Sequence, residues 1–421
     1  MEMSELKALL TREGLALLDE VGAVESSADV ARSVSRLRAA GHSPDLVSAV
    51  VGQAHLRVKA RAKFGEFADR MLFTRAGLEQ ATRLSVATLH AVRLRRAGLT
   101  SVADLGCGIG GDSLAFAGAG LVVEAVDADE VTAAIAAYNL APFPDATVRQ
   151  GTAETSVPEV SARIGDAHLP PTDSTDSSAP SAQLRGGLSA VWLDPARRTA
   201  GHSETTRTSA ADWSPSLDWC FEVARRQPTG IKLGPGLDRD LIPEDVEAQW
   251  VSADGSVVEL VLWSGELARQ GIRRSALVLQ GGEAHEITAA ADADDEPVRA
   301  LGAFLHEPDG AVIRARLIGE VARSLEAGMV DDQIAYLTGD AALTSPFVQS
   351  FRVRETMPAH VKTINQALRA NDIGRIEIKK RGMDIDPAAF RRKLSLKGAK
   401  AATLILTRTP GGRVAILADR V

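Results

Sequence analysis

Cysteine is scarce in this chain of 421 residues, which contains only Cys107 and Cys220. Two thiols exclude a disulfide framework and a cysteine-rich zinc site, and we expect both to be free in a reducing compartment. The eight histidines do not cluster at metal-ligand spacing, so we expect no catalytic metal. Neither a Gly-x-Ser-x-Gly elbow nor a phosphate-binding Gly-Lys-Ser/Thr loop occurs, so two common catalytic signatures are absent.

Long apolar runs are also missing from the sequence. No stretch approaches the roughly 20 apolar residues that span a bilayer. Residues 1–25 carry acidic side chains and lack the basic start and apolar core of a secretory signal. We therefore expect a soluble, cytoplasmic protein without a membrane partner. A length of 421 residues exceeds what one core usually supports, which predicts two or three domains.

Positive charge is in deficit overall but is concentrated near the C-terminus. The net charge of −7 argues against an affinity of the whole molecule for nucleic acid. Residues 351–400 nevertheless contain 13 Lys or Arg against 5 Asp or Glu, so this segment carries +8 and the other 371 residues carry −15. Such a basic segment is what an RNA-binding appendage requires, because neutralising phosphates supplies most non-specific affinity.

The first 97 residues predict a helical domain. Apolar residues recur three and four positions apart, as in Leu6, Leu9 and Leu10, without the alternation of a strand. Pro44 directly after Ser43 marks a helix start, and a further helix is predicted over Ala81–Arg96.

From Thr100 onward the pattern changes to short apolar runs, most of them separated by helix-length segments, which predicts a doubly wound α/β domain with a parallel sheet. We place this domain at residues 98–285, with a flexible insertion at about 165–187 that is rich in Pro, Ser, Thr, Asp and Gly. Two later runs, Ser256–Trp263 and Arg273–Leu279, are predicted to pair as a terminal hairpin. The predicted parallel strands are Val102–Leu105, Leu121–Val126, Ala146–Arg149, Ala190–Leu193 and Thr229–Leu233.

An acidic stretch with few bulky apolar residues, at 289–297, predicts a linker. Beyond it we place a small α+β domain at residues 300–421, because helix-like and strand-like patterns mix there. The predicted elements are helices over Ile318–Ala327 and His360–Ala370 and strands over Ile376–Lys380, Ala402–Thr407 and Arg413–Leu417.

The strongest functional signal is a glycine loop that follows the first predicted strand and precedes a helix. Its glycines, Gly106, Gly108 and Gly110, let the backbone turn sharply and approach a ligand closely. Gly106, Gly108 and Gly111 also satisfy the dinucleotide pattern, so the loop alone fits a nicotinamide cofactor as well as S-adenosylmethionine (SAM). Asp104 favours SAM, since a carboxylate there can meet a cationic amino-acid group but would repel a pyrophosphate.

Two further positions complete the predicted cofactor site. Asp127 ends the next strand, 21 residues after Gly106, where a carboxylate can accept both ribose hydroxyl hydrogens. Both candidate cofactors contain ribose, so Asp127 supports the site rather than the choice of cofactor. After the third strand, the backbone amide of Ala153 and the polar side chain of Glu154 could hold the adenine ring.

The order and spacing of these residues resemble the motifs of class I SAM-dependent methyltransferases, over residues 98–235. The resemblance implies a Rossmann-like methyltransferase sheet and SAM as the cofactor. Two alternatives remain open. One is a nicotinamide oxidoreductase, for which no hydride-transfer constellation is found. The other is a doubly wound domain whose glycine turn serves tight packing alone.

The fourth predicted strand ends in Asp194-Pro195-Ala196-Arg197. This segment resembles the Asp/Asn-Pro-Pro-aromatic motif of methyltransferases that modify exocyclic amino groups. The resemblance implies that Asp194 and the carbonyl of Pro195 accept the hydrogens of the amine and direct its lone pair at the methyl group. Arg197 departs from the motif and would, together with Arg198, bind a phosphate or stack through its guanidinium. The alternative is that Asp194 caps the next turn and both arginines are solvated.

Two more features leave alternatives open. Lys232, near the end of the fifth strand, faces either substrate or solvent. The segment Phe67–Arg75 lies directly before the catalytic domain and combines aromatic, basic and hydroxyl side chains. It either folds over the cofactor or packs Phe67 and Phe73 into the helical core.

Four segments together resemble bacterial class I methyltransferases with a C-terminal THUMP-like domain: Met71–Gln80, the Asp104 loop, Asp194–Arg197 and Ile376–Gly382. The resemblance covers most of the chain. Its catalytic part is similar to the trimethylguanosine synthase group, which methylates a guanine amino group. The residues expected to contact RNA are Lys379, Lys380, Arg381, Arg391, Arg392, Lys393 and Lys397.

Three functions are therefore open at the level of sequence. The first is an RNA methyltransferase that modifies a base nitrogen, with the C-terminal domain gripping the RNA. The second is a methyltransferase with a small-molecule or protein substrate, for which the basic C-terminal face is incidental and solvated. The third is an RNA-binding protein whose methyltransferase domain has lost activity.

Overall fold

A computed structural model describes residues 1–157, 189–197 and 213–421. The insertion predicted at about 165–187, as well as Arg198, lies outside these residues, and so does the side chain of Arg197. The chain forms two compact units. The first comprises Met1–Leu233, Asp238–Val246 and Leu262–Ala268, and the second comprises Gly234–Leu237, Glu247–Val261 and Arg269–Val421.

The first unit begins with helices, as predicted. The long helix α4 starts at Pro44, and the Ser43 hydroxyl accepts the Leu46 amide at 3.3 Å, which confirms the predicted N-terminus. The described helices of this unit are α1 Met3–Leu9, α2 Arg12–Val21, α3 Ser27–Ala39, α4 Pro44–Phe64, α5 Arg75–Gln80, α6 Leu84–Arg96, α7 Gly111–Gly118, α8 Glu130–Leu140 and α9 Leu217–Arg226.

The predicted parallel strands are confirmed. They appear in the order β7–β4–β1–β2–β3, and each pair of neighbours is parallel. A two-stranded antiparallel ribbon of β5 and β6 follows Pro195. The strands of this unit are β1 Ser101–Leu105, β2 Val122–Asp127, β3 Ala146–Gln150, β4 Ser189–Leu193, β5 Ala196–Arg197, β6 Trp213–Ser214 and β7 Thr229–Leu233.

The strand order places a topological switch point at β1. The chain leaves β1 toward β2 on one side, whereas β4 lies on the other side. In open α/β sheets, ligands bind beyond the carboxyl ends of the strands at such a point. The segments that follow β1, β2, β4 and β7 therefore share one edge of the sheet, and these are the segments that carry the predicted site.

Trp192 of β4 forms the centre of the core beneath this edge. A Cβ atom at Gly230 would lie 2.5 Å from the Trp192 ring, so only glycine lets β7 approach it. Phe116, His90 and Trp263 surround the same indole, with ring centroids 5.6, 4.7 and 5.6 Å away. This packing holds β4 in place in the sheet, and the loop that begins at Asp194 continues directly from it.

The segment that precedes the catalytic sheet is tied to it by two buried amide side chains. Gln53 of α4 pairs with both backbone groups of Phe73, at 2.6 and 2.9 Å. Asn139 of α8 pairs with both backbone groups of Leu72 and also donates to the Ile109 carbonyl of the glycine loop. Phe73 is fully buried, whereas Phe67 remains 52% exposed. Only Phe73 therefore packs into the core.

The second unit opens with strands that correct the predicted hairpin. These strands are β8 Glu247–Ala253, β9 Ser256–Trp263, β10 Arg274–Gln280 and β11 Glu283–Ala289. The partners of β10 are β8, in parallel, and β11, antiparallel. The hairpin of β9 with β10 is wrong because β8 lies between them. The sequence pattern does not predict β8, because its buried residues include the polar Glu247, Gln249 and Ser252 and so do not form an apolar run.

The rest of the second unit is a small α+β fold, as predicted. Its sheet has the order β13–β14–β12–β15–β18–β17–β16, antiparallel except for β16 beside β17. The strands are β12 Phe304–Pro308, β13 Gly328–Asp331, β14 Ile334–Gly339, β15 Val348–Pro358, β16 Ile373–Lys380, β17 Lys400–Thr409 and β18 Gly412–Arg420. The helices are α10 Gly310–Arg314, α11 Ile318–Ser324, α12 Val361–Ala370 and α13 Pro387–Arg391.

Candidate active site

The glycine loop turns through three left-handed backbone positions. Gly106, Gly108 and Gly110 have φ angles of +96°, +56° and +85°, which favour glycine. A Cβ atom at Gly106 would lie 3.3 Å from the Asp194 carbonyl oxygen. At Gly108, by contrast, no atom of the described residues lies within 4 Å of the corresponding position. The loop thus packs against the end of β4 on one side and is open on the other.

Asp127 lies at the end of β2 and closes onto the glycine loop. Its Oδ2 accepts the Gly108 amide at 3.0 Å, and its Oδ1 accepts the Asp129 amide at 2.9 Å. Burial raises the pKa of this carboxyl above its usual range, although the two backbone amides oppose that rise. A carboxylate has about four acceptor positions, so two remain for a ligand. After β3, Ala153 is buried and Glu154 is exposed.

Asp104 lies deep beneath the loop and is only 1% exposed. Its Oδ2 accepts the Ser113 hydroxyl at 2.5 Å, whereas its Oδ1 has no hydrogen-bond partner within the described part of the chain. Burial, followed by repulsion from Asp112, raises the pKa of Asp104 to about 8. An unpartnered buried carboxyl oxygen is costly, so a cationic ligand group that reached it would be strongly favoured.

The residues predicted to act on the substrate follow β4. Pro195 is buried, and the Asp194 side chain is 37% exposed, with its Oδ2 2.7 Å from the Lys232 ammonium. Arg197 pairs through its backbone with Trp213 in the β5–β6 ribbon. The structure therefore brings Asp194 next to the glycine loop. The side chain of Arg197 is not among the described atoms, so its predicted contact with a phosphate or a base stays a prediction.

A buried cluster of four polar side chains adjoins Asp194, and three of them stood outside the predicted motifs. Lys232 is only 8% exposed, so it faces neither bulk solvent nor an open cleft. Its ammonium lies 2.9 Å from Asp112 Oδ2 and 2.7 Å from Thr82 Oγ1. Thr82 donates to Asp112 Oδ2 at 2.8 Å, and His90 Nδ1 lies 2.9 Å from Asp112 Oδ1.

Asp112 is the acceptor that Lys232 and His90 share in this cluster. Burial opposes its ionisation, but the Lys232 ammonium and the hydrogen bond from His90 outweigh burial and hold the pKa of Asp112 well below its usual range. An ionised carboxylate only accepts hydrogen bonds, so His90 carries a proton on Nδ1. One feature of the sequence indicates such a cluster: Lys232 lies within an apolar strand, and a lysine is almost never buried unless it is paired.

The edge of the parallel sheet, with its glycine loop, its carboxylate after β2 and its acidic residue after β4, defines a nucleoside-binding α/β enzyme domain. A Mycobacterium tuberculosis H37Rv protein, named as an uncharacterized S-adenosylmethionine-dependent methyltransferase, is 32% identical over 389 residues, which is 90% of this chain and 96% of the relative. Its counterpart in strain CDC 1551 / Oshkosh matches equally. The chain belongs to the S-adenosylmethionine-dependent methyltransferases, and SAM is its cofactor.

Two family models and one solved structure agree with this architecture. Residues 348–420 match the model described as THUMP domain-like, and residues 2–60 match a domain of unknown function, DUF8688. A crystal structure of a Porphyromonas gingivalis W83 protein assigned as a methyltransferase has a TM-score of 0.70 at 19% identity, over 90% of this chain and 92% of that one. This match shows the fold.

The described residues contain neither a candidate membrane span nor a candidate metal cluster. Within 1–157, 189–197 and 213–421, none of the helices combines the length and apolar character that crossing a bilayer requires. The same ranges contain no group of three or more His, Cys, Asp or Glu side chains arranged to hold a metal ion. Cys107 and Cys220 are both free and buried, which confirms the prediction for the two thiols.

Proposed function

We propose that this methyltransferase modifies a base nitrogen of RNA, of the guanine amino type. The observation that carries the proposal is the placement of Asp194. Its carboxylate is held at 2.7 Å by Lys232, and its backbone adjoins Gly106 of the cofactor loop. There, Asp194 and the Pro195 carbonyl would accept the hydrogens of an amine and align its lone pair.

The residues present fit the cofactor. Asp104 offers the buried Oδ1 to the cationic amino-acid group, the open side of Gly108 admits close approach, and Asp127 retains two acceptor positions for the ribose hydroxyls. Ala153 and Glu154 follow β3 on the same edge and would hold the adenine ring. When bound, SAM supplies an electrophilic methyl group on its sulfonium.

Asp104 makes cofactor binding pH-dependent in a defined direction. Its pKa is about 8 without ligand, and a neighbouring cation favours the carboxylate and lowers that pKa. Binding therefore releases a proton below pH 8. We expect the affinity for SAM to rise between pH 6 and 8, by up to about tenfold per pH unit, and to level off above pH 8. Titration calorimetry at several pH values measures this rise.

The matched control for that experiment is Asp104→Asn, which keeps the shape of the side chain and removes its titration. Its affinity for SAM should be weaker and should vary little between pH 6 and 8. Buffers of different ionisation enthalpy should report proton release by the wild-type protein only. A wild-type affinity that stays flat from pH 6 to 8 would contradict the contact between Asp104 and the cofactor cation.

The THUMP-like region supplies the RNA grip in this proposal, although its basic residues divide into two groups. Lys379 pairs with Glu307 at 2.5 Å, Arg381 donates to the Ala335 carbonyl, and Arg391 donates to the Ile376 carbonyl. These three side chains therefore make contacts within the protein that stabilise its fold. The exposed basic residues Lys380, Arg392, Lys393 and Lys397 are named here the basic edge. The basic edge adjoins β16, the last strand of its sheet.

Replacing all four residues of the basic edge by glutamine should weaken RNA binding. Each lost phosphate contact removes about 0.7 to 0.9 from the slope of log K against log salt, so four contacts correspond to a change of about 3. At low salt we expect the affinity to fall by about 10- to 100-fold. Filter binding of RNA over a salt series measures both quantities, and the affinity for SAM should not change.

A matched control removes four exposed basic residues from the N-terminal helices instead: Lys7, Arg12, Arg36 and Arg38. The net charge then changes by the same amount, but the basic edge is intact. Equal losses of RNA affinity in both quadruple variants would show that only net charge matters, and the basic edge would not be the RNA-binding surface.

The proposed activity is tested with tritiated SAM and RNA from the source organism after deletion of the gene. Such RNA lacks the modification and should accept label, whereas RNA from the parent strain should accept little. Nuclease digestion then identifies the modified base. Label that appears in protein or small molecules and not in RNA would favour a methyltransferase with a protein or small-molecule substrate. SAM binding without label in any fraction would favour an inactive RNA-binding protein.

A further inference from the structure

Lys232 is buried, and its ammonium lies 2.7 Å from Asp194 Oδ2. We propose that Lys232 is a positioning residue for Asp194, and that Asp112 and Thr82 hold its ammonium in place for this purpose. The proposal rests on the proposed function, since Asp194 is the residue that would align the amine. Lys232 itself does not touch the substrate.

The geometry around the ammonium leaves little room for another role. A lysine ammonium has three hydrogen-bond donors. Three acceptors surround it: Asp194 Oδ2 at 2.7 Å, Asp112 Oδ2 at 2.9 Å and Thr82 Oγ1 at 2.7 Å. Holding one carboxylate oxygen of Asp194 fixes the rotation of that side chain. The positive charge also favours the ionised carboxylate, which is the form that accepts hydrogen bonds from an amine.

The partners of Lys232 are themselves held by the helices that precede the sheet. Asp112 accepts from His90 of α6, whose ring lies 4.7 Å from Trp192 and 6.0 Å from Trp263. Thr82 follows the C-terminal end of α5, where the Lys63 ammonium donates to three backbone carbonyls within 2.9 Å. Both anchors are therefore rigid before any substrate arrives, as an aligned site requires.

A purely structural ion pair explains the arrangement less well. Asp112 alone would neutralise the lysine, and buried ion pairs stabilise a fold little compared with apolar side chains of the same volume. Here a second carboxylate shares the ammonium, and that carboxylate is the partly exposed Asp194 at the cofactor edge. The lysine thus links a buried anchor, Asp112, to the acidic side chain that is proposed to align the substrate.

The test is a double-mutant cycle of Lys232→Met and Asp194→Ala, read as kcat and KM with the deletion-strain RNA. Lys232→Met should lower kcat by about 100-fold with little change in KM or SAM affinity. In the Asp194→Ala background the same change should cost less than about threefold, because its effect acts through the Asp194 carboxylate. Additive losses, or a Lys232→Met kcat close to that of the wild type, would overturn the proposal.

Two further variants keep the test decisive if Lys232→Met folds poorly. The double variant Asp112→Asn with Lys232→Met removes both buried charges together and should show the same loss of kcat with a normal melting temperature. Arg269→Met breaks another buried ion pair, with Glu247, and should lower the melting temperature without lowering kcat. A wild-type protein that labels no RNA would overturn the proposed function, and this inference with it.

Discussion

Replacing Asp194 by alanine is expected to lower kcat for methyl transfer to RNA by about a thousandfold while the affinity for SAM stays within about threefold. The loss is large because alignment of the amine depends on the hydrogen bond that this carboxylate accepts. The residues proposed to contact SAM, Asp104 and Asp127 among them, are different ones, so the rate and the affinity should change independently. Single-turnover assays with tritiated SAM measure the rate, and titration calorimetry measures the affinity.

Asp194→Asn is the matched control for that experiment. Its amide oxygen can still accept a hydrogen bond from the amine, so we expect a loss of about tenfold, well short of the alanine variant. The pairing with Lys232 is weakened in both variants, and melting temperatures report that effect separately. An alanine variant that turns over within a few-fold of the wild type would exclude Asp194 as the aligning group.

Replacing Asp127 by alanine should weaken SAM binding by about 100-fold, because the proposed hydrogen bonds from two ribose hydroxyls to a charged acceptor would be lost. The Gly108 amide also loses its acceptor in this variant. Titration calorimetry with SAM measures the effect, and reduced nicotinamide cofactors in parallel titrations should show no binding. Tight binding of a nicotinamide cofactor would contradict the assignment of the ribose site to SAM.

Asp129→Asn provides the control for Asp127→Ala. Asp129 lies two residues further along, caps helix α8 through its side chain and donates its amide to Asp127. Asparagine also caps helices well, so this variant removes a nearby negative charge and retains the local structure. Its SAM affinity should stay within about twofold of the wild type. A loss as large as that of Asp127→Ala would mean that local charge, rather than the ribose contact, determines binding.

The five parallel strands could be predicted, because each is a short apolar run and helix-length segments separate most of them, but their order in the sheet could not. The placement of the glycine loop, Asp127 and Asp194 at the carboxyl edge could be predicted for a related reason, since each lies at or directly after the end of such a strand. Strand β8 could not be predicted, because Glu247 is buried through pairing with Arg269 and breaks the apolar pattern. A contact distant in sequence decides its conformation.

The buried cluster beside Asp194 could not be predicted from the sequence either. Thr82, His90 and Asp112 come from three places in the chain, and each is ordinary where it stands. Asp112, for example, resembles any acidic residue in the first turn of a helix. Only the folded chain shows that it is buried against Lys232, 120 residues away. Its role depends on tertiary packing, which no local pattern contains.

The amide side chains of Gln53 and Asn139 have a consequence for how this enzyme can be divided. A fragment that starts at residue 98 would keep the whole parallel sheet, yet it would lose Thr82 and His90 and the two hydrogen bonds between Asn139 and the Leu72 backbone. The N-terminal helices are thus no detachable module. In evolution, gene fusion or truncation at this boundary would separate the sheet from two side chains of the buried cluster beside Asp194, so we expect both parts to be inherited together.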